Sequence, residues 1–439
     1  MRRPKAGIFT LSTSSIIICE CLQTIVTIFL DTFLVSKILK LTPGNYSGIA
    51  YFNFMYYILI ALVNFGLAPL LKKVNKSLVL SFGALAMAIM FVSVYLLGDN
   101  IVNWLWVLGA ASGISVGIFS CAFNNLVSEV ISSKVQTIYF SVKNIMLFLT
   151  KTVFPLILGS IIDLGSFPIM CVIVAVICIL IFVFSLFIKS KRKDVKSFNI
   201  FKYIKILREK KEETKPLKML YLSAVFRGLC FDLIATAFTI LLFLSSSGSD
   251  FKIGLIQTIF TATQLISTFI FMKLYHKNRS GYFIFGSLAM IITASIPVFI
   301  TQNMITILIM FGVYTFFRLF ITTITDMRRP TIIRQLSMHS HSLEHNALYS
   351  LIYGTSRALS YFLLLLYILM PEAVMINVII AINLTAYVGY GICLFFMERQ
   401  LIQQDIKWKL EHPEAQVVDV NSKEIQSYDK PIETEKQPV

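Results

Sequence analysis

The sequence predicts an all-α membrane protein, with about twelve transmembrane helices in two pseudo-symmetric six-helix bundles. Three observations predict it. Apolar stretches long enough to cross a bilayer, which takes ~20 residues of helix, recur along the chain. One charged run, 190–217, divides them into two sets of six. Basic residues gather in alternate loops, the positive-inside pattern of a multi-pass protein.

Composition supports the same class. Hydrophobic residues make up 56% of the 439 and charged ones 14%, too little polar material to cover a soluble protein of this length. The net charge of +16 lies between the apolar stretches and not on one polar face with stacking aromatics, so no nucleic-acid partner is expected. The seven cysteines sit almost entirely inside apolar stretches and form no CxxC pair. That excludes a disulfide framework and a cysteine zinc site, and no cofactor is expected.

Residues 1–9 form a short basic N-terminus. The apolar run that follows is about twice the length of a signal-peptide core and carries Glu20 and Asp31, so it is a spanning helix that stays. Spans are placed at 10–37, 47–70, 78–97, 101–125, 137–162 and 168–189, making a first bundle over 10–189. The linker 190–217 is charged and partly helical. The second bundle, 218–398, holds spans at 219–245, 251–273, 281–300, 303–325, 346–369 and 373–397.

Arg2, Arg3, Lys5, Lys72, Lys73, Lys76, the 191–193 run, Lys277, Arg279, Arg328, Arg329 and Arg334 all fall in loops on one side. Both termini are therefore expected in the cytoplasm, in a multi-pass protein of the cell membrane. Lys37 and Lys40, in the first loop of the opposite side, break the pattern; Trp104 and Trp106 suit an interfacial anchor there. In the tail 399–439, residues 400–412 read as an amphipathic surface helix, and the chain beyond about 413 as disordered. A Lys/Ile/Phe/Asn-rich composition leans bacterial, and a monomer is expected.

The halves echo each other. Each opens on a span with internal charge (Glu20; Arg227 and Asp232), and each fifth span carries a central cation (Lys151; Arg357). Such internal symmetry places a site between the repeats. The turn after the second span reads Ala68-Pro69-Leu70-Leu71-Lys72-Lys73-Val74-Asn75-Lys76, and the fifth span contains Pro155-Leu156-Ile157-Leu158-Gly159. With these features residues 8–398 resemble the major facilitator superfamily. Ala68, Lys72 and Asn75 stand where that family's turn usually has Gly, Asp and Gly. The resemblance implies a gate at Lys72, Lys73 and Lys76, and a cavity lined by the first, fourth, seventh and tenth spans, with the second, fifth, eighth and eleventh beside them.

A charge inside the membrane costs ~2.5–3.5 kcal/mol or more, which makes each one a functional candidate. These are Glu20, Asp31, Lys143, Lys151, Arg227, Asp232, Arg318 and Arg357, all on spans the resemblance assigns to the cavity. Cations outnumber anions, and an arginine keeps its proton, so an anionic substrate completes the balance at Arg227, Arg357, Lys151 and Arg318. The competing reading is that the arginines only fix helix packing. Lys143 is close enough to one surface to snorkel. Glu20 and Asp232 are the coupling candidates, because a carboxylate in a low-dielectric cavity titrates near neutrality. Asn53 and Asn64, like Gln257 and Gln264, repeat within ~20° on one helix face. They suit either polar substrate groups or interhelical hydrogen bonds.

His339, His341, Glu344 and His345 have metal-like spacing but lie in a polar loop, and no metal is expected. No phosphate loop, nucleotide fingerprint or nucleophile–base set appears, so the chain is not read as an enzyme. The expected function is proton- or ion-coupled transport of a small organic anion, or of a lipid-like amphiphile with an anionic head, by alternating access across the lipid bilayer. The alternatives are proton-driven multidrug efflux and a transporter-like receptor or partner subunit that carries nothing.

Overall fold

The computed structural model describes residues 10–130, 136–189, 198–245, 248–275, 279–301, 303–336, 338, 341–367 and 372–411. Twelve long rods account for the spans. The first is α1 (Leu11–Ile28), which runs through a π-helical turn (Phe29–Leu34) into α2 (Val35–Leu41). The rest of the first half is α3 (Ser47–Leu67), α4 (Lys76–Leu97), α5 (Leu105–Val130), α6 (Gln136–Leu164) and α7 (Phe167–Leu186). A short linker helix α8 (Ile200–Glu209) follows. The second half is α9 (Lys215–Ser245), α10 (Asp250–Leu274), α11 (Ser280–Ile300), α12 (Met304–Gln335), α13 (Ser342–Tyr367) and α14 (Glu372–Glu411). Among the described residues, ten apolar stretches are long enough to cross a membrane, one of them running through both α4 and α5. The helix outside that set is α13, whose polar residues include Thr355, Ser356, Arg357 and Ser360.

One core cluster lies within the second half with α8; the other fills the first half and takes in Ile240, Ala358, Tyr361, Leu364 and Ile379 of the second. In the first half, α3 packs on α5, α4 on α5 and α7, and α1 on α6 and α7. The closest approach follows from Gly109 and Gly113 on α5: a Cβ there would lie 2.4 Å from the carbonyl oxygens of Phe52 and Tyr56 on α3. Small residues four apart let two membrane helices touch backbone to backbone. In the second half α9 packs on α13 and α14, and α12 on α10 and α11. The halves meet at two seams, α3 on α13 and α6 on α10, which are the same pair of positions under the internal symmetry.

Several helix ends differ from the hydropathy reading. Helix α12 continues to Gln335, so Arg328, Arg329 and Arg334 belong to a helix and not to a loop. The extension is held by its partners. The Arg328 guanidinium donates to both oxygens of Glu398, at 2.5 and 2.8 Å, and Glu398 is buried. Arg329 lies 4.2 Å above the Tyr349 ring and donates to Asn346 Oδ1. Likewise residues 400–411 are not a separate surface helix. They continue α14, with Leu401 buried and the Gln404 side chain donating to the Glu213 carbonyl.

Lys37 and Lys40 are explained in the same way. The first rod runs to Leu41, Lys37 pairs with Asp99 at 2.6 Å, and Lys40 pairs with Asp250. The π turn carries Asp31 and breaks the regular spacing that would put it on one face with Glu20.

Helix α8 is docked on the second half. Its backbone entry at Asn199 donates to Glu344 Oε1, and Tyr203, buried, meets the hydroxyl of Tyr221 at 2.7 Å. Tyr221 in turn meets His345 Nδ1 at 2.8 Å. Burial raises the Tyr203 phenol above its ordinary range, which keeps its proton in place for this network.

Candidate functional site

Glu20, Lys143, Lys151, Arg227, Arg318 and Arg357 carry the charge of the helices that face one another across the two halves. In the first half Lys143, on α6, pairs with Glu20, on α1, at 2.6 Å. It turns inward to a carboxylate and does not snorkel to the surface. The other oxygen of that carboxylate, Oε2, is buried with no hydrogen-bond partner among the described residues. In the second half Arg227, on α9, donates to both oxygens of Asp326, on α12, at 2.7 and 3.5 Å. Arg227 is largely covered at 15% exposure, whereas Asp326 keeps 59%.

Tyrosines hold the remaining arginines. The Arg357 guanidinium lies 3.8 Å above the ring of Tyr57, a residue of the opposite half, and 5.2 Å from Tyr353. Tyr353 is also 5.5 Å from Arg227, so one ring lies between two guanidiniums. Arg318 lies 5.8 Å from the Tyr314 ring. A guanidinium stacked face-on keeps its N–H edge directed sideways, the edge that takes a carboxylate or phosphate. Lys151, exposed on α6, lies within electrostatic reach of Arg318, Glu20, Lys143 and Asp326.

Other candidates stand apart from this group. Asn53 and Asn64 are buried and bond within the first half: Asn53 donates to the Ile49 carbonyl, and Asn64 to the Ile60 carbonyl and Ser120 Oγ. Gln264 is half-buried on α10. Gln257 donates to Thr32 Oγ1 across the halves at 2.8 Å. The side chains of Asp232 and Lys72 lie outside the described residues. Lys73 is exposed and Lys76 buried, and Asn75 caps α4 by accepting from the Ser77 amide. His339 lies outside the described residues, and among those described no three His, Cys, Asp or Glu side chains are grouped to hold a metal.

Sequence reading missed Asp326, Tyr57 and Tyr353. Asp326 falls one residue beyond the apolar run of its span. The polar residues Arg318, Thr322, Thr325 and Arg329 fall at helical intervals through that point, a signal that the helix goes on. The tyrosines read as ordinary wall residues until a cation is placed on them.

The two halves are fastened at one end. Asp250, at the start of α10, is buried and accepts from Ser36 Oγ at 2.6 Å and from Lys40 Nζ at 2.5 Å, both of the first half. Asp163, at the end of α6, accepts from Ser249 Oγ and from the amides of Asp250 and Phe251 at 2.9–3.1 Å, capping a helix of the other half. Below this, Gly254 meets the Pro155 carbonyl and Gly159 the Asp250 carbonyl so closely that a Cβ would lie 2.3 and 2.5 Å away. Asp326 and Arg227 lie toward the other end, near the linker.

Comparison with known proteins agrees with this architecture. The family model described as Major Facilitator Superfamily matches residues 14–397. An uncharacterized protein in the sodM 3' region of Geobacillus stearothermophilus is 32% identical over 87 residues, 20% of this chain and 41% of that protein's length. The chain therefore spans less than half of the curated relative it matches. Among solved structures, a bacterial homologue of the iron transporter ferroportin in an inward-facing state superposes with TM-score 0.60 and 15% identity, covering 88% of this chain and 98% of that one. A peptide transporter in complex with sulfate superposes with TM-score 0.63 and 11% identity, covering 91% and 96%. At such identities the likeness is one of fold.

Proposed function

Because this chain belongs to the major facilitator superfamily, a family of transporters and not of enzymes, we propose that it carries a small organic anion, or an amphiphile with an anionic head, across the cell membrane by alternating access, coupled to a proton or another ion. The observation that carries this reading is the charge of the central space. Lys143 and Arg227 pair with Glu20 and Asp326, and Lys151, Arg318 and Arg357 add further cations to the same space. Such a field concentrates anions and repels cations. It suits a divalent metal cargo poorly, although one fold neighbour is a homologue of an iron transporter. The fastened Asp250 end and the exposed Asp326 toward the other fit a carrier open on the side of the linker, the cytoplasmic side by loop charge.

The test is thermal stabilisation of the purified protein by benzoate, citrate, glycerol 1-phosphate and tetraphenylphosphonium. The organic anions are expected to stabilise it. In Arg357→Ala that effect should weaken at least about tenfold in anion concentration, a loss of ~1.4 kcal/mol, while expression and membrane insertion stay normal. Undiminished stabilisation of that variant would remove Arg357 from the site. Stabilisation by tetraphenylphosphonium alone would turn the assignment to drug efflux. No response to any ligand would favour a non-transporting partner protein.

Glu20 is the coupling group this reading favours, because a proton arriving at its unbonded Oε2 would loosen the Lys143 pair. Glu20→Gln is expected to abolish the dependence of uptake on a pH gradient in proteoliposomes. A variant that still concentrates the stabilising anion with normal pH dependence would exclude that role.

A further inference from the structure

Arg357 is bracketed by two phenol rings, one from each half. Its guanidinium carbon lies 3.8 Å above the centre of the Tyr57 ring, on α3, and 5.2 Å from that of Tyr353, one turn back on α13. A separation of 3.8 Å is van der Waals contact, so the Tyr57 ring covers one face of the guanidinium.

The Tyr57 ring is itself fixed from behind. It is buried, with Tyr56 packed at 4.8 Å and Tyr361 stacked on it at 5.5 Å and 21°. Tyr361 is tied in turn to α9, where its hydroxyl meets Thr236 Oγ1 at 2.5 Å. The helices around the pair have little room to shift. A Cβ on Gly354 would lie 2.7 Å from Ala61 Cβ on α3, and one on Gly228 of α9 would lie 2.6 Å from Ser356 Cβ. At Arg357, α13 is therefore wedged between a helix of the opposite half and one of its own.

We propose that Tyr57 is a positioning residue of the anion site: its ring sets the plane of the Arg357 guanidinium and leaves the N–H edge as the way in for the substrate. The inference rests on the anion-carrier reading. It narrows the substrate to groups that offer two oxygens to a flat fork, a carboxylate or a phosphate, over a single-atom anion such as chloride. A cation gains more from a ring face where water is scarce than at an exposed surface. A guanidinium already held in one plane also has less freedom to lose when the anion binds. Because ring and cation come from different halves, the site keeps its geometry only while α3 and α13 stay together.

The experiment replaces Tyr57 with phenylalanine, and then with phenylalanine carrying one, two or three ring fluorines, introduced by nonsense suppression. Fluorine withdraws electron density from the ring face and weakens its attraction for a cation, while the size of the ring changes little. Thermal stabilisation of each purified protein is titrated with benzoate and with glycerol 1-phosphate, which has no ring of its own. The concentration giving half the effect is expected to rise stepwise with fluorine number for both anions. Tyr57→Leu should raise it about five- to thirtyfold. In an Arg357→Ala background the same changes at Tyr57 should have no effect. Arg357→Lys keeps the charge without the flat fork and should respond as weakly as Arg357→Ala.

Equal affinity across the fluorine series overturns the inference. So does a series that moves benzoate alone, which would put the ring against the substrate and not beneath the guanidinium. A full benzoate response in Arg357→Lys, or a loss at Tyr57 that persists in the Arg357→Ala background, also overturns it. Failure of both anions to stabilise the unaltered protein overturns instead the reading on which it rests.

Discussion

Glu398→Ala is expected to cost the fold about 3–5 kcal/mol, the range found when one partner of a buried ion pair is removed. Arg328 and Glu398 make a two-pronged contact at 2.5 and 2.8 Å, with side-chain exposures of 13% and 2%. Removing the carboxylate leaves a guanidinium that cannot lose its proton in a pocket with little water. The contact joins α12 to α14 just where both helices leave their apolar runs, so its loss should fray both ends. Thermal unfolding of the purified variant in detergent measures the effect. Replacing both residues by methionine should recover most of the stability, since a well-packed apolar pair is about as good as a buried ion pair. A single variant that melts with the parent would mean the contact contributes nothing.

Asp250→Ala is expected to open the fastened end. Two charge-assisted or charge-accepting hydrogen bonds disappear with the carboxylate, from Lys40 and from Ser36. Each is worth ~1.5–3 kcal/mol, but Lys40 is 37% exposed and regains water, so a net of ~2–3 kcal/mol is the reasonable figure. That corresponds to a shift of ~30–150-fold in the ratio of closed to open forms at this end. Spin labels at Asn100→Cys and Thr301→Cys, exposed on the two halves at that end, should report a longer separation in the variant. Asp250→Glu, which keeps the charge, should lie between the two. An identical distance distribution in Asp250→Ala would show that the Asp163 cap and the glycine contacts close this end without help.

Much of this organisation is legible in the sequence because lipid imposes it. The apolar runs, the six-and-six division and the cations at 151, 227, 318 and 357 all follow from what a bilayer accepts. Hydropathy says where a helix leaves lipid but not where it ends. Arg328 and Leu401 lie in helices because Glu398 and the second-half core hold them there, and those contacts come from residues distant in sequence. Partner choice is hidden for the same reason. Nothing near Arg227 in the chain points to Asp326, 99 residues on, and nothing near Lys40 points to Asp250. Lys37 and Lys40 look like violations of a loop-charge rule only until their carboxylates are seen.

The docking of α8 on the second half has a consequence for how the gene can be divided. The hydrogen bonds from Asn199 to Glu344 and from Tyr203 to Tyr221 make this helix part of the second bundle, although it precedes that bundle in the chain. The natural boundary between two independently translated pieces is therefore within 190–197, ahead of α8, and not at the start of α9. A cut there keeps α8 with the core it packs on and leaves α3 on α13 and α6 on α10 as the surfaces by which the pieces find each other in the membrane. A cut at 210–214 would leave Tyr221 and His345 facing water and strand on the first piece a helix whose binding face belongs to the second.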